Sequence, residues 1–256
     1  MSILRPCTPF ATCAALCTLA LAATAVADDA PPGWAGKVSL GGSISRGTTD
    51  SLSGNLEATA ERSWDDHLLR LGLRAAYGRT DPDGGHNART DNDEQYLTQY
   101  YRYTASKRLY LFGDFEQSRD AVQDIDFRLI ANAGPGYRIW EGGEKRYLDV
   151  EGGIGYRHES RSGDANLDNV LGRTAATFST SIDAATFVQT AEFLLPFDST
   201  GEWLARARTS LAFPLTQSWS FENSLNLEYQ NDPAGDPPNE NANLELDYIV
   251  SLVYSF

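Results

Sequence analysis

The stretch Asn243-Leu244-Glu245-Leu246-Asp247-Tyr248-Ile249-Val250-Ser251-Leu252-Val253-Tyr254-Ser255-Phe256 decides the fold. In an extended chain Leu244, Leu246, Tyr248, Val250, Leu252, Tyr254 and Phe256 share one face, and Asn243, Glu245, Asp247, Ile249, Ser251, Val253 and Ser255 share the other. A period of two is the signature of a strand with one apolar face. The pattern recurs upstream. Trp219, Phe221, Leu225, Leu227 and Tyr229 oppose Ser220, Glu222, Ser224, Asn226 and Glu228, while Leu69, Leu71, Leu73, Ala75 and Tyr77 oppose Arg70, Gly72, Arg74, Ala76 and Gly78.

Carried along the chain, this reading predicts twelve strands: 37–46, 51–63, 67–79, 94–105, 108–118, 126–140, 146–158, 173–181, 184–196, 202–214, 218–230 and 242–256. Almost no helical periodicity is found. The connections alternate in length. Trp64–Asp66, Ser106–Lys107, Glu141–Lys145, Ile182–Asp183 and Leu215–Gln217 are short, whereas 80–93, 119–125, 159–172 and 231–241 are long; 47–50 and 197–201, on the long side, are shorter. Even strand number, short turns on one side and longer loops on the other describe an all-β, antiparallel, up-and-down transmembrane β-barrel, with turns and both termini in the periplasm and loops outside. Trp64, Trp140, Trp203 and Trp219 stand at strand ends and Trp34 just before the first strand, as interfacial aromatic belts require. The competing reading is a soluble periplasmic sandwich or lipocalin-like barrel, favoured by Pro135, Pro196 and Pro214 within strands. Pro196 and Pro214 fall near strand ends, and Pro135, within Gly134-Pro135-Gly136, predicts a bulge or kink.

Residues 1–27 read as a secretory signal peptide: Arg5, an apolar run from Phe10 to Ala22, and small residues at Ala25 and Ala27 ahead of Asp28-Asp29. Residues 28–36 would be a short periplasmic segment and 37–256 the barrel. Cys7, Cys13 and Cys17 all lie in the leader, so the remaining chain offers no disulfide, thiolate ligand or cysteine nucleophile. The 256 residues carry 35 acids against 21 Lys and Arg, a formal charge of −14, which excludes nucleic acid as a partner. No apolar run reaches the ~20 residues of a membrane helix.

Ile125-Asp126-Phe127-Arg128-Leu129 followed by Ala133-Gly134-Pro135-Gly136-Tyr137-Arg138 resembles the salt-induced outer-membrane protein family of proteobacteria, carrying domain of unknown function 481. Leu109–Gly113 with Glu116–Asp120, Gly153–Arg157 and the terminal Leu252-Val253-Tyr254-Ser255-Phe256 are similar to its neighbouring blocks. Segment 173–196 departs from the pattern, which leaves the register of strands 8 and 9 open. The resemblance implies a barrel in the outer membrane of a Gram-negative bacterium and a link to salt stress, but no activity and no functional residue. A terminal Phe256 also resembles the assembly signal of outer-membrane barrels, implying the barrel-assembly machinery as a partner.

No catalytic or cofactor-binding residue is expected. His67 and His86 fall in a turn and a loop, and His158 beside Ser160 is the only nearby pair for a lipid-acting enzyme. Acids crowd the long loops: Asp81, Asp83, Asp91, Asp93 and Glu94 in one, Asp120, Asp124 and Asp126 in another, Asp232, Asp236 and Glu240 in the last. Solvated loop charge accounts for them; Asp81, Asp83, Asp91 and Asp93 are also a site for loosely bound Ca²⁺ or Mg²⁺. With Lys37, Lys107 and Lys145 at the periplasmic ends, the outer rim becomes an acidic ring facing lipopolysaccharide and outer-membrane lipid. The face opposite the apolar one carries Glu57, Glu61, Asp114, Glu116, Asp149, Glu151, Glu222, Glu228, Glu245 and Asp247 with Arg70, Arg74, Arg102, Arg128, Arg138, Arg206 and Arg208. Paired, these charges cross-link a closed lumen; hydrated, they line a narrow, cation-leaning diffusion channel. The sequence leaves both open. The expected protein is a non-enzymatic envelope barrel, with the channel as the alternative and a lipid-acting enzyme third.

Overall fold

The structure is a computed structural model that describes residues 33–45, 50–81, 89–121, 124–143, 145–161, 166–198, 202–231 and 244–256. The leader, residues 28–32, Asp83, His86, Asp232, Asp236 and Glu240 lie outside the described residues, as do the side chains of Asp81, Asp91 and Glu245.

Twelve antiparallel strands close into one barrel, each paired with its sequence neighbours and β1 with β12. They are β1 (Trp34–Ser45), β2 (Asp50–Trp64), β3 (His67–Asp81), β4 (Arg89–Thr104), β5 (Leu109–Asp120), β6 (Ile125–Gly143), β7 (Arg146–Arg161), β8 (Leu167–Ile182), β9 (Ala185–Pro196), β10 (Leu204–Pro214), β11 (Trp219–Gln230) and β12 (Leu244–Ser255). The number and order are those expected. Several strands are longer than read: β1 starts at Trp34, β4 at Arg89 and β8 at Leu167. Short turns sit at one end. Two of them place an aspartate, Asp65 (φ 46°) and Asp183 (φ 52°), in the left-handed region that tight hairpins require and that Asp tolerates.

Alternation sets the faces as the sequence predicts. Leu225 is 37% exposed while Ser224 is 4% exposed, and Leu73, Tyr77, Leu246 and Leu252 join Leu225 on the outside. Among the described residues no other element covers this outward apolar surface, as expected of a wall solvated by lipid. Rings gather at both ends of the belt. At the turn end Trp219 lies 4.9 Å from Tyr254, and Trp64 stacks 5.4 Å from His67. At the loop end Trp203 stacks 4.9 Å from Tyr229 and lies tilted 5.5 Å from Phe193.

The expected bulge at Pro135 is absent. The β6–β7 register is the same before and after it, Ala133 opposite Ile154 and Gly136 opposite Glu151. Glycines permit this: a Cβ on Gly134 would stand 2.1 Å from the Gly152 carbonyl oxygen, so only paired glycines let the strands approach around the proline. The irregularities of β6 lie elsewhere, at Ile125/Phe127, Arg138/Trp140 and Glu141/Gly143. Strands 8 and 9 pair without a break from Ile182 opposite Ala185 to Leu171 opposite Pro196, which fixes the register left open above.

Candidate functional site

The lumen is where the chemistry gathers. Its side chains follow from strand parity, and they form layers along the barrel.

Nearest the turns is a chamber of about 770 Å³, lined among others by Lys37, Glu61, Arg70, Lys145, Ser179 and Phe256. A second, central chamber of about 470 Å³ is walled by Tyr96, Tyr100, Tyr110 and Tyr147 and by Arg74, Arg102, Arg173 and Arg206 with their acids. Glu57 and Arg208 line both chambers. These two residues, from β2 and β10, form a two-point pair, Nη1 to Oε1 at 3.1 Å and Nη2 to Oε2 at 2.9 Å.

Above that pair stand two arginines with several acids each. Arg206 donates to Glu228 at 2.9 Å on the adjacent strand and to Glu116 at 3.0 Å on β5. Arg173 donates to Glu192 at 2.6 Å and Glu151 at 2.8 Å, and stands 3.3 Å from Asp114. Rings hold the guanidinium planes: Arg173 lies 4.8 Å from the centroid of Phe112, and Arg102 lies 5.2 Å from that of Tyr110. Tyr100 and Tyr110 both donate to Glu151, at 2.7 and 3.2 Å.

Toward the loops the β6–β10 side of the lumen is packed. Ile130, Leu171, Leu194 and Leu204 form a buried apolar cluster, each 3% exposed or less. On the loop side of it Glu159, fully buried, accepts from Arg128 and Arg161 at 2.5 Å each. Arg157 donates to Asn169 at 2.9 Å, and Asn169 in turn to Asp198 at 2.9 Å. Buried charges at this density require such pairing, since desolvation is otherwise prohibitive.

The structure thus brings together the lumen charges read from the sequence and adds others. Glu94, expected in the acidic loop, is a buried lumen residue whose Oε2 lies 3.4 Å from Arg74, because β4 starts five residues earlier than read. Arg157, Glu159, Arg173 and Glu192 were not among the expected lumen charges. For two of them the signal was available, since Arg157 and Glu159 share their parity on β7 with Asp149 and Glu151; β8 and β9, which hold Arg173 and Glu192, had no recognised inward charge to set the parity. Of the four acids expected to hold a divalent cation, Asp81 ends β3, Asp91 and Asp93 belong to β4, and Asp83 lies outside the described residues. Among the described residues no group of three metal-ligating side chains occurs. His158 on the outer surface has its Nδ1 2.7 Å from Asp168 and its ring beside Phe127; no hydrogen bond to Ser160 is found among the described residues.

Closed antiparallel wall, lipid-facing apolar belt, two aromatic girdles and a charged lumen define the class: this is an outer-membrane β-barrel protein. The fold matches solved members of that class. The translocator domain of the autotransporter NalP from Neisseria meningitidis is 15% identical, with a TM-score of 0.51 over 96% of this chain and 98% of that one. An outer membrane channel from Pseudomonas putida F1 is 12% identical, with a TM-score of 0.50 over 87% of this chain and 94% of that one. No curated protein matches the chain. The chain belongs to the family of proteins of unknown function DUF481, whose model matches residues 38–256.

Proposed function

We propose that the protein is a non-enzymatic barrel of the bacterial outer membrane, shut to axial diffusion, that serves the envelope's adaptation to its ionic surroundings. The observation that carries this reading is the cross-linking of the lumen. Arg206–Glu116 and Arg208–Glu57 each join strands that are not neighbours, and the Ile130–Leu171–Leu194–Leu204 cluster packs the β6–β10 side of the lumen toward the loops. The salt connection rests on the family resemblance and on the acidic residues of the loop side. Two anionic surfaces, this rim and lipopolysaccharide, attract only when divalent cations bridge them or salt screens them, with a screening length of ~10 Å at 0.1 M. Phe256 would present the chain to the barrel-assembly machinery.

Purified protein in planar bilayers tests the reading. Silence across the usual voltage range is the expected result. Conductance steps with cation preference would replace it with the second reading, a narrow diffusion channel, which the two chambers and the acid excess of the central one favour. Phospholipid hydrolysis that disappears in His158→Ala would overturn the non-enzymatic assignment.

A further inference from the structure

The wall is not uniformly closed. Among the described residues, the ladder between β1 and β12 runs only from Gly36 opposite Phe256 to Gly41 opposite Ser251, the shortest in the barrel. The next register positions, 42–45 against 250–247, belong to described strand residues, yet they do not pair. Both strands continue there on their other sides: β1 pairs with β2 up to Ser45, and β12 with β11 up to Leu244. From Val250 to Asp247, β12 therefore presents an edge that is unpaired among the described residues, roughly 10 Å long at ~3.4 Å per residue. Its outward side chain Tyr248 is among the most exposed apolar ones, at 60%.

Such an edge is not tolerated against hydrocarbon, which cannot satisfy backbone N–H and C=O groups. Whatever covers it has to be polar, and it has to lie within reach of acyl chains on the outside. Behind the edge is the central chamber, where Asp247 of β12 faces Arg74 of β3. This pair is loose. Arg74 Nη2 stands 3.5 Å from Asp247 and 3.4 Å from Glu94, and its Nε is buried with no hydrogen-bond partner. Arg206 and Arg208 make contacts of 2.9 Å to their acids in the same chamber. The seat at the seam thus offers an unsaturated guanidinium next to the Asp247 carboxylate.

We propose that the gap between β1 and β12 is a lateral opening, and that it admits the polar head of a zwitterionic phospholipid whose acyl chains remain in the bilayer. The phosphate takes the free guanidinium edge of Arg74, the ammonium takes Asp247, and the head group's oxygens and N–H groups satisfy the strand edge. Mixed charge selects this ligand: an anionic head group leaves Asp247 unmatched, and a cationic one leaves Arg74 unmatched. The central chamber borders the turn-side chamber at Glu57 and Arg208, so the head group enters a space facing the periplasm rather than the exterior.

The full chain, with Cys7, Cys13 and Cys17 replaced by serine, carries a single fluorophore on Ile249→Cys at the seam or on Thr177→Cys at the far chamber wall. It is folded into bilayers of phosphatidylethanolamine with brominated acyl chains. Loss of fluorescence at 249 and none at 177 is expected; equal quenching at the two positions overturns the opening. In a second measurement the unlabelled Ser43→Cys/Ile249→Cys protein, cross-linked or reduced, is folded into mixed phosphatidylethanolamine and phosphatidylglycerol bilayers and its retained lipid is extracted. The reduced protein is expected to retain phosphatidylethanolamine preferentially, the cross-linked protein and Arg74→Gln to lose it. Retention that ignores the cross-link, or that shows no preference for phosphatidylethanolamine, overturns the proposal. Neither readout depends on conductance.

Discussion

Arg206 on β10 reaches Glu116 on β5 with Nη1 3.0 Å from Oε2, linking strands that share no ladder. The same guanidinium holds Glu228 on its neighbour β11. One side chain therefore ties three strands through the middle of the barrel, in a chamber where removing it strands two carboxylates.

Replacing Arg206 by Ala should destabilise the barrel by ~3–5 kcal/mol, the usual cost of leaving a buried ion pair half made. The folded form should be lost at a lower temperature, read from the shift between heated and unheated gel mobility. Glu116→Gln keeps a hydrogen-bond acceptor and should cost less. An Arg206→Ala barrel that melts with the parent would mean the pair is solvated and weak.

The wall register predicts a sharp contrast between adjacent positions. Leu225→Arg places a charge in the lipid belt and should cost ~2–4 kcal/mol. Ser224→Arg points the same charge into the lumen, where it crowds but meets no hydrocarbon. Equal losses for the two variants, measured by equilibrium unfolding from bilayers, would contradict the assigned faces.

Phe256 is seated by a glycine. Its ring occupies the space where a Cβ on Gly36 would lie, 2.3 Å from Cζ, and the two residues exchange backbone hydrogen bonds of 3.0 and 3.1 Å. Deleting Phe256 removes two ladder bonds from the shortest seam, so the expected outcome is reduced outer-membrane accumulation in cells. Gly36→Val should reproduce part of this loss by displacing the ring. Normal levels of both variants would separate the terminal residue from assembly.

The acids at and between the loop-side ends of β3 and β4 lead to an ionic prediction. Asn at Asp81, Asp83, Asp91 and Asp93 should reduce the thermal protection that Mg²⁺ or Ca²⁺ confers in lipopolysaccharide-containing bilayers. No divalent effect on the parent protein, or an undiminished one in the variant, would reduce these residues to solvated charge.

How far the sequence reveals this molecule depends on where each residue stands relative to the membrane. Within the belt one face meets lipid and the other the lumen, so Leu69 to Gly78 and Leu244 to Phe256 alternate cleanly and their strands are legible. Beyond the belt both faces are wet. Arg89–Asp93 at the start of β4 and Leu167–Gly172 at the start of β8 carry no alternation, so both read as loop although they are strand. The lumen charges suffer differently. Parity reveals which acids and arginines face inward, but pairing such as Arg206 with Glu116 depends on the diameter and shear of the closed wall. The β1–β12 gap has no local signature at all, since both strands look complete on their own.

The span of the cross-lumen pairs along the chain sets an order of events during folding. Glu57 and Arg208 are 151 positions apart, and Glu116 and Arg206 are 90 apart. Neither pair can form while the strands are still a growing open sheet, because the partners meet only when the sheet curls onto itself. Until then each strand carries unmatched lumen charges, which hydrocarbon would reject. A partly inserted chain must therefore keep its inner face in contact with water, and neutralisation of the interior coincides with closure. Strand addition and charge pairing become one cooperative step, which disfavours barrels that stop short of twelve strands.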